Sequence, residues 1–194
     1  MFNYRSYAVK EHVGVFKLTD HFDIMDAETG RQVGIASEEV GGLTHALRLL
    51  IGKRLLPTTV VFREADDLPV LLTLKRGFTF LRPKVVVIDA SETEIGYFKS
   101  KLFSFGGGFY VYDAADKLVA EVKGNWKGFN FQFLTPEGRV LGTVDKQWGG
   151  VMKEMFTSAD TYHIKLAEDI GTNPAMAALL LAAGIAIDVV FKEK

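Results

Sequence analysis

From Ala175 to Ile187 the chain runs thirteen residues without a polar side chain, and this run constrains the fold more than any other feature. Asn173 stands where a helix N-cap belongs and Pro174 suits the first helical position, where the missing N–H costs nothing. A helix that is apolar on every side has to be buried, in lipid or in protein. Crossing a bilayer takes about 20 apolar residues. The run is shorter, and Asp188 interrupts it before Val189, at roughly 2.5–3.5 kcal/mol on insertion scales for a central carboxylate. The run therefore predicts a helix over about 174–187 enclosed by the rest of the chain, which must supply a container.

The remaining sequence reads as that container. Phe22 to Asp26 alternates, turns through Glu28-Thr29-Gly30 and returns through Val33 to Ile35. The pattern recurs as Val85 to Asp89 with Ile95 to Phe98, Phe109 to Asp113 with Leu118 to Val122, and Phe129 to Phe133 with Val140 to Val144. Asp26, Asp89, Asp113 and Thr135 each lead into a turn, where a short side-chain oxygen bonds the turn's N–H groups; this explains their recurrence better than paired acid–base carboxylates. Thr58–Arg63, Val70–Leu74, Phe78–Leu81 and Tyr162–Leu166 add further extended segments. The whole predicts a mainly β fold, an antiparallel meander of about 12 strands wide enough to curl around a small-residue helix. One short helix breaks the pattern: Leu43 to Leu56 has helical apolar spacing and a basic face of His45, Arg48, Lys53 and Arg54. At 194 residues one domain, 1–194, is expected.

The net charge of −1 argues against a dedicated nucleic-acid binder, yet charge is unevenly spread. Residues 48–84 hold 8 basic and 3 acidic side chains, while the flanking stretches are each net negative. Within the basic stretch, Lys75-Arg76 and Arg82-Pro83-Lys84 bracket the predicted strand Phe78–Leu81. Gathered on one face, Lys75, Arg76, Arg82 and Lys84 would hold a phosphorylated headgroup by charge-assisted bonds; the plainer reading is a solvated face with snorkelling stems. Fifteen Phe and 19 Gly fit a core of β-hairpins.

Little else carries chemistry. The absence of Cys removes disulfides, thiolate nucleophiles and S-acylation, and fits a reducing cytoplasm; residues 1–10 show no secretory pattern. Ser104 to Phe109 is Gly-rich but precedes a strand and lacks the phosphate-loop spacing, so it reads as a turn or bulge. His12, His21, His45 and His163 show no metal-ligand spacing, and no nucleophile elbow occurs. No catalytic residue, metal or cofactor is expected. Trp126 and Trp148 suit a core or a membrane interface.

Leu141 to Gly150, then Glu154 to Ile164, then the apolar run ending Ile187-Asp188 and Phe191, resemble the phospholipid scramblase and LURP-one-related family of the tubby-like superfamily, with coverage from about Val15 to the C-terminus. The resemblance implies a closed antiparallel barrel around a C-terminal hydrophobic helix. It also implies a lipid-related role: a non-enzymatic module for anionic phospholipid or phosphoinositide headgroups at the cytoplasmic membrane face, or a scramblase that moves lipid. A small-ligand carrier or enzyme using the barrel mouth is a third reading. The segment that the resemblance associates with calcium falls near Leu166 to Asn173, where only Glu168 and Asp169 are acidic, fewer oxygen ligands than calcium takes.

Overall fold

The computed structural model describes residues 1–12, 19–41, 56–78, 84–101, 108–125, 127–146, 161–170 and 173–191. The strands are β1 Ser6–Glu11, β2 His21–Asp26, β3 Gln32–Glu39, β4 Thr58–Arg63, β5 Leu72–Arg76, β6 Lys84–Asp89, β7 Glu94–Ser100, β8 Gly108–Asp113, β9 Leu118–Asn125, β10 Asn130–Leu134, β11 Val140–Asp145 and β12 Thr161–Leu166. Each pairs antiparallel with its neighbours in sequence, and β1 pairs with β12, so the sheet closes into a barrel of 12 strands. Strands about 4.8 Å apart and tilted about 40° make a cylinder about 24 Å across. Inward side chains from both walls leave a lumen about as wide as the 10–12 Å of one α-helix.

That helix is α1, Pro174–Ala186, extended by a π-helical turn over Ile187–Phe191. Asn173 accepts a hydrogen bond from the Met176 N–H at 3.2 Å, and Pro174 opens the first turn as its missing donor allows. Every residue from Ala177 to Ala186 is buried. The wall is bulky where the helix is thin: Phe22, Phe62, Phe98, Phe109, Phe131 and Phe133 all point inward and are fully buried. Close approach is met by glycine at two points. A Cβ on Gly96 of β7 would lie 2.4 Å from the Tyr112 carbonyl oxygen and 3.0 Å from Leu179 Cδ1, and one on Gly184 of α1 would lie 2.5 Å from Ile164 Cδ1 of β12.

Four hairpins repeat one design. Asp89 Oδ1 accepts from the N–H groups of Ser91 and Thr93, and Asp113 Oδ1 from those of Ala115 and Lys117. Asp26 accepts from Glu28, and Thr135 from Arg139. Each turn reaches positive φ once, at Gly30 (71°), Glu92 (59°), Asp116 (60°) and Gly138 (88°). Each is followed by a register shift that leaves an extra residue on the returning strand. Such bulges raise local twist and bend the strand, which helps the sheet close.

Eleven of the twelve strands are those expected, and three differences stand out. The tyrosine-containing segment at Ser6–Glu11 forms β1, unanticipated, and it closes the barrel. At the predicted strand Phe78–Leu81, Phe78 lies outside any strand and 79–81 fall outside the described residues, as does the predicted helix apart from its last residue, Leu56. β5 also begins and ends two residues later than expected.

Candidate functional site

Because the meander alternates, its two ends differ. At one end the connections are 27–31, 64–71, 90–93, 114–117 and 135–139; at the other the strands feed 12–20, 40–57, 77–83, 101–107, 126–129 and 146–160. The helix begins at the first end and finishes at the second. The basic residues singled out in the sequence lie at the second, where β5 ends and β6 begins.

The shift of β5 decides how they point. Lys75 and Arg76 are the last two residues of a strand, so their side chains leave opposite faces of the wall. Lys75 is exposed. Arg76 turns inward with only 3% of its surface accessible and donates from Nη2 to the Leu56 carbonyl oxygen at 3.1 Å and to Thr58 Oγ1 at 2.8 Å. Lys84 opens β6 on the same outer face as Lys75, since Lys75 faces Val86 two residues further on. Arg82 lies outside the described residues. The structure thus brings Lys75 and Lys84 to one face and sends Arg76 to the other.

Two residues missed in the sequence join that face. Lys99 stands directly across from Lys84 in the ladder between β6 and β7, and both are exposed. Like charges so placed repel, offset in part by Glu94, 3.8 Å from Lys84 Nζ, and by the Tyr97 ring, whose centroid is 4.0 Å away. Phe78 sits in the connection between the two lysine-bearing strands with 68% of its surface exposed. Strand register was the missing signal for Lys99, and the assignment of Phe78 to a strand hid its exposure. Beside this face, Lys101 pairs with Glu121 and lies over Tyr110, and Tyr97 stacks on Tyr112 at 4.8 Å.

Glu168 pairs with Arg5 at 2.9 Å and Asp169 with Arg139 at 2.6 Å; the hydrogen bond from Arg139 holds the Asp169 carboxyl below its usual range. Both carboxylates of the would-be calcium segment are therefore engaged by arginines. His163 Nε2 lies 2.6 Å from Ser6 Oγ, and burial, with Lys165 nearby, lowers its pKa to about 4. His12 and His21 meet across the β1–β2 hairpin beside Asp23. His45, Trp126, Trp148 and the glycines before Gly108 lie outside the described residues. Asp188, buried to 6% exposure, and Tyr162 lie inside the barrel, where burial, then the Asp188 charge, push the Tyr162 hydroxyl far up.

Among the described residues no helix is long and apolar enough to cross a membrane. The barrel wall carries Phe inside and Lys, Asp, Glu, Gln and Tyr among its outward side chains, the reverse of the lipid-facing apolar band of a spanning barrel.

Comparison with known proteins matches the family described as Scramblase over residues 8–194. Phospholipid scramblase 1 of Mus musculus is 38% identical over 58 residues, a segment covering 30% of this chain and 17% of that protein. No solved structure matches.

Proposed function

The chain belongs to the scramblase family, and from that premise we propose that it is a non-catalytic module that binds anionic phospholipid surfaces, phosphoinositide-bearing ones among them, at the cytoplasmic face of the membrane. The observation that carries this reading is Phe78, 68% exposed between two strands that present Lys75 and Lys84 outward. An exposed aromatic in the connection between two strands that present lysines outward suits the headgroup boundary: the ring enters the apolar edge while ammonium groups remain with the phosphates. Lys75, Lys84 and Lys99 supply about 1 kcal/mol each near an anionic surface. Burying the Phe ring adds about 1.5–3 kcal/mol. A total of about 5 kcal/mol lies between millimolar and micromolar affinity, suited to reversible peripheral binding. Arg76 serves this surface indirectly, by tying Leu56 and Thr58 to the end of β5.

The mouse relative, phospholipid scramblase 1, favours lipid translocation as a second reading. Under it α1, or the wall, has to enter the bilayer.

Co-sedimentation of detergent-free protein with neutral, anionic and phosphoinositide-doped vesicles, at low and high salt, tests the first reading. Pelleting that needs anionic lipid and weakens with salt supports it. Salt-resistant pelleting contradicts it in favour of insertion and translocation. Absence of pelleting with all three vesicles contradicts both and points to a ligand at the barrel mouth.

A further inference from the structure

We propose that His12, His21 and Asp23 form a binding site for one divalent transition-metal ion of the zinc class, on the outer face of the β1–β2 hairpin. The hairpin register places them together. Lys10 faces Asp23 and Glu11 faces Phe22, and the ladder continues one step through the His12 N–H to the His21 carbonyl oxygen at 2.8 Å, so the two imidazoles stand opposite each other. Their ring centroids are 4.8 Å apart at an interplanar angle of 83°. Asp23, two residues from His21 on the same face, brings Oδ2 to 2.6 Å from His12 Nε2. One ligand atom from each of the three lies within 4.8 Å of the others, and all three residues are half-buried. Ligands about 2.0–2.2 Å from zinc are about 3.4 Å from one another in a tetrahedron, so small side-chain rotations suffice, without moving the backbone.

The donor set selects the ion. Two imidazole nitrogens and one carboxylate oxygen suit zinc and its first-row neighbours, whereas calcium and magnesium take mainly oxygen. Three protein ligands leave a fourth position open, and the half-exposed setting gives it access to water. Among the described residues, Lys10, exposed and opposite Asp23, is the cation placed by register to compete for that carboxylate. The simpler alternative is a His12–Asp23 ion pair with His21 merely packed against it. The two differ in what His21 does: a ligand is needed for metal binding, whereas a packing neighbour is not.

The test uses the full chain without a histidine tag at near-neutral pH. Zinc(II) stoichiometry is read by equilibrium dialysis and imidazole engagement by 15N chemical shifts. The expected result is one zinc ion per chain, shifts at His12 and His21 but not His163, and at least tenfold weaker binding in His12→Gln and His21→Gln, with His163→Gln unchanged. Asp23→Asn is expected to weaken binding as well. Wild-type protein that takes up no stoichiometric zinc overturns the proposal, as does uptake with no shift at His12 and His21. Zinc binding that survives His21→Gln also overturns it. Should a variant fail to fold, the wild-type shifts alone decide between these outcomes.

Discussion

The two ends of the barrel are built on different principles. At the end of short connections, each of four turns satisfies its own backbone with one Asp or Thr, reaches positive φ once and is followed by a bulge. Its structure is decided within five or so residues of sequence. At the other end, whose connections include 40–57 and 146–160, the informative contacts are made across neighbouring strands rather than within one turn: Arg76 with Leu56 and Thr58, Lys84 with Lys99, His12 with His21. The helix joins the two, capped by Asn173 at the first end and closing on buried Asp188 at the second. Local sequence rules build the scaffold, while the surfaces with chemistry to offer arise where register brings residues of neighbouring strands together.

The largest expected effect tests what the ends share. Leu180 is fully buried in α1, and Leu180→Ala should cost about 2–5 kcal/mol by urea unfolding, in a single transition that includes both ends. Separate transitions would show that the ends are independent of the plug. Next, the neighbours Lys75 and Arg76 should differ sharply. Arg76→Ala removes a buried guanidinium from two oxygen acceptors and should cost roughly 2–3 kcal/mol, whereas Lys75→Ala should stay within about 0.5 kcal/mol. Equal costs would mean that the inward and outward assignments do not hold. Asp89→Ala, at the short-connection end, strips two turn N–H groups of their acceptor and should cost about 1–2 kcal/mol with no change in vesicle binding.

The smallest effect concerns pH. Burial, then Lys165, lower His163 to about 4 from an ordinary 6.5, so protonation favours the unfolded chain. Its contribution is complete above about 6.5 and is lost as pH falls toward 4. His163→Gln should flatten that arm by about 1 kcal/mol once the partial exposure is discounted. A wild-type-minus-variant difference that stays constant across this window would remove His163 as the cause.

The fold was legible because its signals are local. Strand–turn–strand alternation with Asp or Thr at the turn, and a run without polar side chains after Asn173-Pro174, each carry their own physical reason. β1 escaped because closure rests on its pairing with β12, more than 150 residues away, which no local pattern encodes. The site was half legible. Lys75, Arg76 and Lys84 stand out as charges, but whether neighbours share a face depends on whether they lie in a strand or a turn. Placing β5 two residues early made Lys75 and Arg76 into a pair; in the strand they part. Lys99, isolated in sequence, becomes Lys84's partner only through the register of β6 with β7, and the unremarkable spacing of His12, His21 and Asp23 becomes a cluster through that of β1 with β2.

Charge reversal at both ends decides whether the membrane-facing surface lies at the long-connection end. Lys75→Glu with Lys84→Glu changes the proposed face, while Lys117→Glu reverses an exposed charge in a turn at the opposite end. Binding to anionic vesicles is measured by co-sedimentation, with thermal unfolding confirming that each variant is folded. The double variant is expected to lose binding at least tenfold and Lys117→Glu to bind like wild type. Undiminished binding by the double variant, or an equal loss in Lys117→Glu, would contradict that placement.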